Sequence, residues 1–182
     1  MQTLGFVLEL APGLHGAFRH EVVRRPLPSH PDGCRLLEVW REHGGTLVVG
    51  QDIPSRRLSR LLPNLALCDY RVAQGDFRVR LAGFALIGRF GMDISHRFLS
   101  EVLSEDEHEC VYSAMMGVRE TGSPVTIDAR IHAQDRQLLH FETTLLRVLA
   151  ADRSKPLVLA GMFFFEPSGQ NRLLSMEAGR LC

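Results

Sequence analysis

A chain of 182 residues with 45% hydrophobic and 23% charged side chains is long enough to bury one substantial core. Its 21 basic and 21 acidic residues cancel, so it lacks the basic excess of a protein that neutralises phosphates, and nucleic acid is not expected as a partner. Cys34, Cys68, Cys110 and Cys182 form no C-x-x-C pair, which supports neither zinc nor a disulfide framework and predicts reduced thiols in a cytoplasmic protein. The longest apolar runs, such as Leu157–Phe165, fall far short of the ~20 residues that span a bilayer. No basic segment precedes the apolar residues at the N-terminus, so no membrane or secretory role is expected.

Residues 1–32 hold four of the nine prolines and read as an extension. Within it Phe6–Leu10 suits a short strand, Leu14–Val23 a turn or two of helix, and RRPLPSHPDG a linker. The first clear helix follows, capped by Asp32, with Leu36, Val39, Trp40 and His43 along one face and Gly44-Gly45 as its stop. A second short helix is predicted over Pro54–Leu62, between Asp52 as cap and Pro63 as stop. Leu65–Val72 and Asp76–Ala82 form a hairpin around Gly75. In its second arm Phe77, Val79 and Leu81 alternate with Arg78 and Arg80, the two-residue period of a strand with one buried face. These three side chains are expected to be buried together, with Ile127 and Phe141 on the same face.

At Gly83 the period breaks into helices predicted over Gly83–Gly91 and Asp93–Leu103. Ser104-Glu105-Asp106-Glu107 is a capping box opening a helix that carries Val111, Met115 and Val118 on one stripe and stops at Gly122. Strands over Val125–Ala133, Leu138–Leu149 and Leu157–Phe165 close the domain. The tail is polar apart from Leu173, Leu174 and Met176. Short connections make sequential strands antiparallel, and the order of two strands, several helices and three strands gives an α+β domain.

This order of elements resembles the PAS sensory domain, and the resemblance implies one five-stranded antiparallel sheet with a helical cap on one face and an N-terminal flanking helix. The resemblance rests on Trp40 followed by Gly44-Gly45, on Asp52-Ile53-Pro54, on Leu61-Leu62-Pro63, and on the alternating strand ending Leu81-Ala82-Gly83. In these features the chain looks like the single-domain PAS proteins common in alphaproteobacteria. It divides the chain into an extension at 1–32, a PAS-like domain at 33–166 and a tail at 167–182. The resemblance implies a cytoplasmic, non-catalytic sensor or regulatory module that signals in trans to a protein such as a histidine kinase. A small ligand would sit between sheet and cap, and the sequence requires no cofactor.

Several residues carry specific expectations. Ser95-His96-Arg97-Phe98-Leu99-Ser100 is similar to the flavin-binding signature of light-sensing PAS domains, with His96 where their cysteine stands. That excludes a thiol adduct there and leaves His96 as a surface histidine, a ligand contact or a haem ligand. Glu142 lies mid-strand among residues suited to burial, so it must be paired, protonated or on the wet face. An ion pair with Arg78, Arg80 or Arg130 is one reading, and a ligand contact is the other. If a ligand binds, the expected lining is His96, Phe98, Met115, Phe141, Glu142 and Met162, although the same apolar residues equally suit a core. Leu36, Val39 and Trp40 are expected at a homodimer interface, because the sheet face opposite the cap needs a cover. Two rival readings are a haem- or flavin-dependent sensor and a small cone-shaped α+β enzyme using Glu142 with His140 or Asp128. No catalytic motif or metal-ligand spacing supports the latter.

Overall fold

The computed structural model describes residues 18–133 and 136–165, so the expectations for Phe6–Leu10 and the 167–182 tail lie outside the described residues. One sheet organises the rest. Its strands are β1 (Phe18–Arg25), β2 (Leu47–Val48), β3 (Leu65–Arg71), β4 (Asp76–Ala82), β5 (Val125–Ala133), β6 (Arg136–Leu149) and β7 (Pro156–Phe164). The order is β1-β5-β6-β7-β3-β4, antiparallel throughout. β2 runs parallel to the end of β6, where β5 no longer flanks it.

Seven strands therefore replace the expected five. The segment read as helix over Leu14–Val23 instead contributes β1, which pairs with β5 along its whole length. Its β-branched Val22 packs on the cap-side core while Glu21 and Val23 face outward, an alternation too short to outweigh the helical reading. β2 is two residues long and leaves no periodic signal at all.

Among the described residues four helices cover the sheet: α1 (Pro31–Glu42) on one face, and α2 (Phe84–Phe90), α3 (Leu99–Val102) and α4 (Glu105–Thr121) on the other. None of the described helices is long and apolar enough to cross a membrane. Pro31 opens α1, and the cap is His30, whose Nδ1 accepts the Asp32 N–H at 3.1 Å. Asp32, expected as the cap, sits in the first turn, where its charge favours the positive helix end. Leu36, Val39 and Trp40 are only 0%, 1% and 8% exposed, packed with Leu146, Val148, Leu157 and Leu159 of their own sheet. Trp40 Nε1 donates to the Arg147 carbonyl at 2.9 Å. The residues expected at a dimer interface are thus internal. Gly161 of β7 permits the close approach, since a Cβ there would come within 2.6 Å of Leu36.

Two helix expectations give way to side-chain and backbone bonds that hold irregular chain. Over Pro54–Leu62 the chain forms turns, then a 3-10 turn at Leu62–Asn64, and Asp52 closes a tight turn by accepting the Val48 N–H at 2.8 Å. Leu58 and Leu61 still reach the core. Of Asp93–Leu103, only Leu99–Val102 is helical. The preceding residues run beside β4, with the His96 N–H on the Val79 carbonyl at 2.7 Å and the Val79 N–H on the Arg97 carbonyl at 2.9 Å.

The alternating strand holds for Phe77 and Val79, which share one core with Ile127, while Phe141 is half-buried further along that face. Leu81 does not join them. Leu67 lies opposite Leu81 but Cys68 lies opposite Val79, so Arg80 is an extra residue in β4. Such a bulge disrupts the strict facing of the residues beyond it, and Leu81 is left 63% exposed. Urea unfolding should therefore separate the pair. Phe77→Ala should cost about 3–5 kcal/mol and Leu81→Ala less than about 0.5 kcal/mol, whereas equal costs would return Leu81 to the core.

Candidate functional site

β6 is the strand on which the two faces of the sheet meet. Leu145 belongs to the core beneath α2–α4, and Leu146 and Val148 to the core beneath α1. By the two-residue period Phe141 and Thr143 face the cap, and His140, Glu142 and Thr144 face α1. The expected ligand residues are therefore divided between the two faces.

Glu142 is 0% exposed in mid-sheet, opposite Asp128 on β5 and Phe163 on β7. Its partners are not arginines. Arg78 and Arg80 lie on β4, with β7 and β3 in between, and Arg130 reaches Asp128 instead. Glu142 Oε2 accepts the N–H groups of Ser29 and His30, each at 2.8 Å, and Oε1 accepts the Ser29 hydroxyl at 2.5 Å. These donors come from the segment between β1 and α1 that reads as a linker. Both oxygens are filled, so the carboxylate points its lone pairs at the fold and not at a substrate.

Beside it lies a second polar group. Asp128, also buried, accepts from Arg25 Nε at 2.9 Å and pairs with His140 Nε2 at 3.0 Å. The His140 ring stacks on Phe165 with centroids 3.9 Å apart, and His30 meets Phe165 edge-on. Because His30 Nδ1 accepts from Asp32, its hydrogen sits on Nε2, 3.2 Å from the Phe164 carbonyl it donates to. Glu142, His140 and Asp128 thus share a face as the enzyme reading requires, but each is engaged in fastening β1, α1 and β7 together.

On the cap face the expected residues fall in three places. Met115 is in the core of α4. His96 is exposed, at a left-handed φ of 68°, and its carbonyl accepts from Arg78 Nε at 2.9 Å while Phe98 bridges Arg78. Phe141 and Met162 lie together with Phe164, toward the end of the sheet where β3, which starts opposite Gly161, no longer flanks β7. The Phe141 and Phe164 rings are 5.3 Å apart, and the Arg89 guanidinium of α2 lies 4.2 Å above the Phe164 ring. These three apolar residues are all half-buried, so among the described residues this end of the cap face keeps apolar surface uncovered. The Phe163-Phe164-Phe165 run suggests an apolar lining in the sequence, whereas Arg89 carried no signal, since its place over Phe164 depends on how α2 meets β7.

A further buried carboxylate ties cap to sheet. Asp76, at the start of β4, accepts from Phe77 N–H at 2.7 Å, from Ser100 N–H of α3 at 3.1 Å, and pairs with His108 Nε2 of α4 at 2.9 Å. Burial acts to raise its pKa, but the hydrogen bonds from His108, Ser100 and Phe77 together outweigh burial and hold it below the usual carboxylate range. Cys68, beside it in the core, has its thiol pushed up to about 12 by burial and then by the charges of Asp69 and Asp76, and is an inert packing residue.

A carboxyl group whose pKa is lowered on folding adds stability that is fully present above its unfolded value of about 3.9 and is lost as pH falls through the folded value. The acid limb of the stability curve should therefore steepen below about pH 4, and Asp76→Asn should both flatten that limb and cost about 1–3 kcal/mol at neutral pH. Urea midpoints measured from pH 2.5 to 7 check this, and parallel curves for the two proteins would contradict it.

The sheet flanked by α1 on one face and capped by α2–α4 on the other agrees with a comparison against family models, in which the model described as PAS domain matches residues 29–164. No curated protein matches the chain. The match covers most of the chain, from the Ser29 that Glu142 grips to the last residue of β7, and the chain belongs to the PAS domain family.

Proposed function

We propose that this chain is a non-catalytic PAS sensor whose input is a small molecule with an apolar body and a negatively charged group, held on the cap face, and whose output passes in trans through α1 to a signalling protein such as a histidine kinase. Membership of the family gives the coarser part, a sensory or regulatory module. The observation that carries the finer part is the open end of the cap face. There Phe141, Met162 and Phe164 present half-buried apolar surface, and Arg89 supplies a cation suited to a negatively charged group on the ligand. Thioether and aromatic side chains adapt to irregular shapes, which favours a binding wall over a fixed core.

Coupling to α1 follows from sequence adjacency. Phe141 on the cap face and Glu142 on the α1 face are consecutive residues of β6, so a shift of β6 against a ligand moves the carboxylate that holds Ser29 and His30. The ligand acts by its differential affinity for two positions of that strand. His96 and Met115 play no part in this reading, because one is exposed and the other is core.

Trp40, the single tryptophan of the chain, reports on α1. Protein isolated under native conditions from its own host should carry a small molecule detectable by native mass spectrometry. Stripping and restoring that molecule should shift Trp40 emission, and Met162→Trp should abolish binding by filling the open end. Recovery of the bare chain mass alone, or undiminished binding by Met162→Trp, would overturn the proposal.

A further inference from the structure

The two edges of the sheet are unlike. At the β4 edge the strand is bulged at Arg80, and the chain around His96 and Arg97 occupies the outer backbone groups of Val79. That edge is blunted in the manner by which proteins avoid unwanted strand pairing. At the other edge β1 pairs with β5 in unbroken register over all eight residues, with no bulge and no proline. No strand lies beyond it among the described residues. Its outward backbone groups form a ready template, and Pro26 ends that template immediately after Arg25.

The geometry points to a second copy of this chain as the occupant, with β1 pairing antiparallel to itself about a two-fold axis through Val23 and joining the two sheets into one. A two-fold normal to the sheet keeps each face on its own side, so partners across the axis must share a face. Centred on Val23, the pairing sets Val23 against Val23 of the second copy and Glu21 against Arg25 of the second copy, twice. Val23 is 42% exposed, so its side chain is accessible to a second copy at this edge. Glu21 is half exposed, and His132 Nε2 lies 3.8 Å from its Oε2. Arg25 gives Asp128 only its Nε, and its terminal nitrogens make no bond among the described residues. Both charges therefore have capacity to spare at the edge. Neighbouring registers are worse. Centring on Val22 sets Glu21 against Val23, centring on Glu21 opposes two glutamates, and centring on Arg24 opposes two arginines. Opposite charges directly across a strand pair stabilise it and like charges destabilise it, so the self-complementary register is also the specific one.

The overlap is Glu21–Arg25, a short stretch, so the dimer is weak and concentration-dependent. Sedimentation equilibrium of the full chain over about 10–500 µM should show a reversible monomer–dimer equilibrium. Val23→Lys and, separately, Glu21→Arg should each weaken it by at least about tenfold with unchanged circular dichroism and melting temperature. Under mild oxidation Val23→Cys should form an intermolecular disulfide absent from the wild-type chain, and Glu21→Cys should not. A wild-type chain that stays monomeric throughout, as when residues 1–17 or another segment cover the edge, would overturn the proposal. So would a dimer indifferent to Val23→Lys, or cross-linking of Glu21→Cys equal to that of Val23→Cys.

Discussion

A carboxylate with no access to water sits at the middle of the sheet, and much of the architecture is arranged to satisfy it. Glu142 is fully buried and opposes a second buried acid, Asp128, across the strand pair. Removing such a charge from water costs far more than one hydrogen bond returns, so donors must be supplied from a fixed place. They come from Ser29 and His30, the residues that end the crossover from β1 and begin α1. Satisfying Glu142 therefore determines where α1 starts. From that start Leu36, Val39 and Trp40 necessarily fall on β6 and β7, and Gly161 lets them approach. The sheet face left by the cap is covered from within the chain.

Asp76 does for the cap what Glu142 does for α1. Each is a buried acid that accepts backbone N–H groups at a helix start, and each joins a helical element to a strand. The arrangement gives the two faces of the sheet separate polar fastenings and separate cores, with β6 common to both. A domain built this way holds its helices in register, while Phe141, Met162 and Phe164 at one end of the cap face stay only half-buried among the described residues. On the proposed reading, that combination of fixed frame and half-buried apolar end is what would convert binding on one face into movement on the other.

Much of this was legible in the sequence because local patterns carried it. The hairpin, the capping box at Ser104 and the α1 stripe all follow from periods and residue chemistry within a few positions. What failed to show depends on distant pairings. The donors for Glu142 lie more than a hundred positions away in a stretch whose prolines suggest a linker, so arginines on neighbouring strands were the natural guess. Leu81 obeys the alternation of its own strand and is exposed only because β3 and β4 slip by one residue. β1 is a strand because β5 offers an edge, a fact no window of residues 14–23 contains. His96 matches a ligand position in a related motif, yet its backbone bonds to β4 leave the ring at the surface.

The central claim is that Glu142 holds the Ser29 and His30 amides as part of the cooperative structure. Residue-resolved hydrogen exchange tests it directly, because a loop amide between two prolines would otherwise exchange freely. Ser29 and His30 should exchange as slowly as the core amides of β6 in the wild-type chain, and should lose that protection in Glu142→Gln while Leu145 and Leu146 keep theirs. Rapid exchange of both amides in the wild-type chain would show that α1 starts without the carboxylate, and the account built on it would fail.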